Sequence, residues 1–132
     1  LLFQSKENVE IHFNTKDEQC ILNEDKTQMN RLFTNLIKNA IEASSSNAMI
    51  EIFISLECAA GEALVAIEDK GAGISQGMQP KIFTPNFTTK SSGTGLGLAI
   101  CKGIVENAGG KIWFQTEENK GTTFFVSLPL SV

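Results

Sequence analysis

The stretch Lys90-Ser91-Ser92-Gly93-Thr94-Gly95-Leu96-Gly97-Leu98 constrains this chain more than any other, because glycine at three alternate positions destabilises both strand and helix and makes a loop there. The next segment is amphipathic. From Leu98 the apolar residues fall at Leu98, Cys101, Ile104, Val105 and Ala108, a single helical stripe, and Gly109-Gly110 supplies a C-terminal stop. A glycine loop opening into a helix gathers unpaired N–H groups at one point with no Cβ atoms in the way, which suits a phosphate or another anion. The same run also suits a turn needed only for packing, and by itself it does not separate the two.

The rest of the pattern sets the class of fold. Residues 8–13 (Asn-Val-Glu-Ile-His-Phe) alternate apolar with polar and predict a half-buried strand, with a shorter one at residues 19–22 after a polar turn. A long helix comes next, capped by Asp25 or Thr27, whose stripe is Met29, Leu32, Phe33, Leu36, Ile37, Ala40 and Ile41 and which breaks at Ser44-Ser45-Ser46-Asn47. Residues 49–58 and 62–68 predict a strand pair, and residues 111–116 and 122–130 a second pair. Between the pairs, residues 69–97 are rich in Gly, Ser, Thr and Pro and long for a connection, as lids and binding loops are. The expected architecture is α+β, one domain over residues 1–132 with a mixed sheet covered on one face by two principal helices.

Composition narrows the ligand. With 42% hydrophobic and 20% charged residues the chain has the make-up of an ordinary soluble protein, and no apolar run reaches the roughly 18 residues of a membrane span. No signal-peptide pattern opens it, so a cytoplasmic location is expected. Cys20, Cys58 and Cys101 are odd in number, far apart along the chain and without metal-ligand spacing, and are expected to be reduced, mostly buried thiols. A net charge of −4 argues against nucleic-acid binding, so an anionic ligand must be held by local devices.

Several residues could be such devices. At about 100° per residue Asn35, Asn39 and Glu42 share a polar face of the long helix, away from its apolar stripe. Two asparagines one turn apart in mid-helix suggest a use for their amide oxygens, since a phosphate-bound magnesium ion needs few protein oxygens. Asp69-Lys70-Gly71-Ala72-Gly73-Ile74 ends a predicted strand, where a carboxylate can accept from an exocyclic amine and glycines let a flat ring lie against backbone; an Asx turn fits equally well. Phe83 and Phe87 flank Thr84-Pro85-Asn86, with Thr88-Thr89-Lys90 beyond. They either pin a loop to the core or anchor a mobile lid in which Lys90 is a phosphate counter-charge. His12, the only histidine, shares its side of a strand with Glu10 and Asn14 and belongs to no triad.

Taken in order, these pieces resemble the ATP-binding catalytic domain of sensor histidine kinases, in the wider GHKL group with the MutL and type II topoisomerase ATPases. Asn35-Leu-Ile-Lys-Asn39-Ala-Ile-Glu-Ala43 is similar to the N box, Asp69 to Ile74 to the first glycine box, Ile82-Phe83-Thr-Pro85-Asn-Phe87 to the F box and Gly93-Thr-Gly95-Leu-Gly97-Leu98 to the second glycine box, with Gly121-Thr122 as the final strand's signature. The resemblance implies a two-layer α/β sandwich, the Bergerat ATP-binding fold, with a mobile ATP lid, and it implies ATP and Mg2+ as cofactors. It makes Asp69 the acceptor for the adenine amine, with Gly73 in the adenine floor and Gly71, Ile74 and Thr122 as further nucleotide contacts. Asn39 becomes the magnesium ligand, with Asn35 in the same region. Phe83, Phe87, Thr88, Thr89 and Lys90 belong to the lid, and Gly93, Thr94, Gly95, Leu96, Gly97 and Leu98 form the phosphate cradle.

The resemblance also implies a reaction. Where hydrolytic relatives carry a glutamate base, four residues before the metal-binding asparagine, this chain has Asn35, which takes up no proton, so phosphoryl transfer to a protein histidine is expected rather than hydrolysis. Glu42-Ala43 replaces the common Lys-Tyr, leaving Lys90, Lys38 or the magnesium ion to supply positive charge near the phosphates. No helix bearing a phosphoacceptor histidine precedes Leu1, so the expectation is a monomeric fragment of a homodimeric kinase, soluble or anchored at the inner face of the plasma membrane. Its partners would be its own dimerisation and phosphoacceptor helices and, downstream, a response regulator. Two alternatives stay open: a non-catalytic nucleotide sensor whose lid orders on binding, and a hydrolytic ATPase or serine kinase of the same superfamily.

Overall fold

The periodicities of the sequence become two layers in the computed structural model, which describes residues 8–15, 24–44, 49–85 and 97–130. The strands are β1 (Val9–Thr15), β2 (Ile50–Ala59), β3 (Glu62–Asp69), β4 (Lys111–Glu117) and β5 (Gly121–Pro129), and the helices α1 (Lys26–Ala43) and α2 (Gly97–Asn107); a short 3-10 turn spans Gln79–Lys81. The strands form one sheet in the order β1-β2-β3-β5-β4, with β1 and β2 parallel and every other pair antiparallel. The sheet is therefore mixed, as expected. The short strand expected at residues 19–22 lies outside the described residues.

Helix α1 starts where the sequence offers a cap. Oδ1 of Asp25 accepts from the N–H of Thr27 (2.8 Å) and of Gln28 (3.2 Å), two donors that otherwise lack a partner in the first turn. At the other end the buried Ser44 turns its hydroxyl back to the Ala40 carbonyl. Helix α2 closes as Gly109 and Gly110 return their N–H groups to the carbonyls of Glu106 and Val105, a Schellman arrangement. Leu32, Leu36, Ile37, Ala40 and Ile41 of α1 pack with Cys101 and Val105 of α2 onto Ile50, Ile52, Ile54, Ile67, Phe124, Val126 and Leu128 of the sheet. Met29 and Phe33, in the predicted stripe, lie partly buried at its margin.

This topology sets the direction of each helix. Because α1 joins the parallel strands β1 and β2, it runs against both and therefore along β3, which brings its C-terminus to the Asp69 end of β3. Strands β3 and β4 are each antiparallel to β5 and so point the same way; α2 joins them and runs against them, which makes α1 and α2 antiparallel. The end of α1, the end of β3 and the start of α2 share one end of the molecule.

One expectation about the thiols is overturned. Cys101 is free and buried, but Cys58 is disulfide-bonded. Wide spacing along the chain carries no information about approach in space, and that spacing was the basis for expecting reduced thiols. Cys20 lies outside the described residues. Among those described, no helix is long and apolar enough to cross a membrane.

Candidate functional site

Asp69 is the acid around which this end of the molecule is organised. It is the last residue of β3, 2% exposed, and its Oδ1 accepts from the N–H of Gly71 (2.9 Å) and of Thr122 (3.3 Å), the residue opposite it on β5. The Gly71 bond is the Asx turn that the sequence allowed. The turn does not exclude ligand recognition, because a carboxylate offers about four acceptor sites.

Beyond Asp69 the chain is clamped on both sides. A Cβ at Gly71 would overlap the Ala43 carbonyl at the end of α1, and the next residue, Ala72, donates its N–H to that carbonyl (3.3 Å). On the other side the Ala72 carbonyl accepts from the Asn119 N–H (2.7 Å) in the β4–β5 turn. Gly73 has φ +73°, and a Cβ there would overlap the Glu117 carbonyl. Ile74, half-buried, donates its N–H to Oγ1 of Thr116 (2.9 Å), which is 2.8 Å from Oγ1 of Thr122. The glycines expected to admit a flat ring admit neighbouring backbone here, and the loop is fixed from α1 to β5.

Sequence reasoning did not single out Thr116. Its signal was available in the facing strands 111–116 and 122–130, since a cross-strand Thr–Thr pair is a favoured sheet contact, but it required the register Thr116↔Thr122.

On α1, Asn35 and Asn39 are half-buried rather than solvated. Asn35 hydrogen-bonds to the Cys101 thiol of α2, and that thiol donates to the Leu32 carbonyl (3.7 Å). Burial pushes the Cys101 thiol up to about 12, against the smaller opposing effect of the Asn35 hydrogen bond. The polar face of α1 is therefore partly covered by α2. With the helices antiparallel, Asn39 lies one turn further towards the end of α1 and Gly97-Leu98 one turn nearer the start of α2, so both lie on the Asp69 side of the Asn35–Cys101 contact.

Phe83 behaves as an anchor. Its ring centroid lies 6.0 Å from Phe114 and 6.3 Å from Phe124, and the Lys102 ammonium sits 5.7 Å from it. Of the expected phosphate cradle, Gly97 and Leu98 open α2, and a Cβ at Gly97 would meet open space. Phe87, Thr88, Thr89, Lys90, Gly93, Thr94, Gly95 and Leu96, and with them most of the expected lid and cradle, lie outside the described residues. The site thus brings together Asp69, Gly71, Gly73, Ile74 and Thr122 in one bonded unit, with Asn39 and Gly97 on the same side of the helical layer.

Comparison with known proteins agrees with this arrangement. Residues 24–132 match the family described as histidine kinase-, DNA gyrase B-, and HSP90-like ATPase. Sporulation kinase C of Bacillus subtilis (strain 168) is 37% identical over 124 residues, which cover 93% of this chain and 28% of that relative, so the chain spans little more than a quarter of its length. The solved catalytic domain of histidine kinase ThkA is 38% identical and superposes with a TM-score of 0.82 over 93% of this chain and 80% of that one. ThkA solved in complex with the response regulator protein TrrA superposes with a TM-score of 0.77 at 35% identity, over 94% of this chain and 35% of that one. On the match over residues 24–132, the shared two-layer fold and the order of the asparagine helix and glycine segments, this chain belongs to the histidine kinase-, DNA gyrase B-, and HSP90-like ATPase family and, within it, to the histidine kinase catalytic domains.

Proposed function

We propose that this chain binds Mg-ATP between α1, the Asp69–Ile74 loop and the start of α2, and donates the terminal phosphoryl group to a histidine on a separate helical domain. The observation that carries the reading is Asp69: a fully buried acid at a strand end, held by two backbone N–H groups and facing the helical layer where the asparagines lie. Buried carboxylates are costly, and one kept in place by a dedicated clamp has a use. Here that use is to accept from the adenine amine, while Thr116 and Thr122 hold the loop in register.

Magnesium fits the donor set. Asn39 offers one neutral amide oxygen, half-buried on α1, and a magnesium ion that takes most of its ligands from phosphates and water needs no more. When bound it would neutralise charge on the transferring phosphoryl group. For Asn39→Ala we expect loss mainly of the magnesium-dependent part of ATP affinity, about tenfold, read by titrations with and without metal; equal loss in both would remove Asn39 as the ligand.

Asn35 favours transfer over hydrolysis. An amide takes no proton from water, and this one is engaged with the Cys101 thiol. In this reading the acceptor is an imidazole on the protein's own dimerisation helices, and a response regulator then receives the phosphoryl group, as a regulator is the partner in the ThkA complex. The reaction would take place in the cytoplasm. Incubating the chain and radiolabelled ATP with a helical hairpin that carries the phosphoacceptor histidine tests this. Label appearing on histidine supports transfer; steady phosphate release without labelling supports a hydrolytic enzyme instead.

A further inference from the structure

We propose that Glu10, His12 and Glu51 form a binding site for a divalent transition metal of the zinc type, on the face of the sheet opposite the helices. Nothing in the nucleotide site uses these residues. Along β1, Val9 is buried beneath the helical layer, whereas Glu10 and His12, on the other side of the pleat, are exposed. Register sets Glu10 directly opposite Glu51 on the parallel neighbour β2, and His12 opposite Phe53.

Two carboxylates facing each other across a strand pair repel, and a cation between them removes the penalty. The donor atoms are already gathered. One oxygen from each carboxylate and a ring nitrogen of His12 all lie within 4.8 Å of one another, and Nε2 of His12 is 3.2 Å from Oε2 of Glu51. A tetrahedral ion with bonds of about 2.1 Å keeps its ligand atoms roughly 3.4 Å apart. The His12–Glu51 edge therefore already matches, and the exposed Glu10 side chain closes the third corner by rotating. The imidazole is also held in place: it stacks on the Phe53 ring with centroids 4.7 Å apart and planes 14° from parallel, so little orientation is lost when a metal arrives.

One nitrogen and two carboxylate oxygens form a borderline donor set that suits zinc and leaves a fourth position to water. Such an ion would fasten β1, an edge strand paired only with β2 among the described residues, to the rest of the sheet. The rival arrangement is a protonated His12 paired with Glu51, with no metal.

His12 is the only histidine, so its ring C–H signals in an NMR spectrum report on this place alone. On titrating the chain with zinc chloride we expect those signals to shift and saturate at one equivalent. We expect Glu10→Gln and Glu51→Gln each to weaken the effect about tenfold, and calorimetry to show the zinc affinity falling by a similar factor in His12→Gln. All three positions are at the surface, so the variants should fold, which a thermal melt confirms. Signals unmoved by millimolar zinc would overturn the site in favour of the proton-only pair. Equal zinc binding in both glutamate variants would overturn it as well, since it would leave a lone histidine.

Discussion

Asp69→Asn should weaken binding of Mg-ATP, or of a non-hydrolysable analogue, by about ten- to a hundredfold and leave the melting temperature close to that of the parent. The factor comes from one hydrogen bond to a charged acceptor, worth about 1.5–3 kcal/mol when buried. The sparing of the fold comes from geometry: an asparagine carbonyl can take the place of Oδ1 and still accept from the N–H groups of Gly71 and Thr122. On the proposed reading, the substitution puts an NH2 in place of an acceptor for the adenine amine, donor against donor. Calorimetry on the folded variant gives the answer directly, and an unchanged affinity would take Asp69 out of the site.

Gly121→Ala should have the largest effect on stability. Gly121 opens β5 at φ +137°, and a Cβ there would overlap the Asp69 carbonyl oxygen. The backbone conformation disfavours any L side chain by about 1–3 kcal/mol, and the overlap adds a cost of similar size. A loss of about 3 kcal/mol would lower the melting temperature by roughly 10 °C in a chain of this length. The displaced Asp69 should weaken nucleotide binding too. Gly97→Ala is the matched control: with open space where the Cβ would go, it should leave the melting temperature unchanged or raised, and lower affinity only through the phosphates. Equal melting temperatures for the Gly121 variant and the parent would show that the close approach to Asp69 is not rigid.

Much of this molecule could be read from its sequence, and the part that could not has a common cause. Strands β2 to β5 and both helices arise from period and punctuation, because each has a single buried face; the Asp25 cap and the Gly109-Gly110 stop are local signals that need no tertiary information. The candidate acid was visible because Asp69 ends a strand and precedes two glycines. What local pattern could not carry is the third dimension. The polar face of α1 was legible, but not that α2 lies over Asn35, because the angular position of a residue on one helix says nothing about where a second helix packs. Thr116 was invisible for the same reason, acting only through a partner on the next strand. The glycines of the Asp69 loop had two readings, ligand approach or backbone packing, and Gly71, Gly73 and Gly121 all abut backbone. Cys58 shows the same limit, since chain distance did not foretell its disulfide.

The central claim is that one nucleotide lodges where the end of α1, the Asp69–Ile74 loop and the start of α2 meet. An amide chemical-shift map of the isotope-labelled chain, titrated with a non-hydrolysable ATP analogue and magnesium, tests it most directly. Gly71, Gly73, Ile74, Asn39 and Leu98 should shift together and saturate along one binding curve, while Glu10, His12 and Trp113 on the opposite face stay still. Shifts confined to that outer face, or loop and helix residues following separate curves, would contradict it.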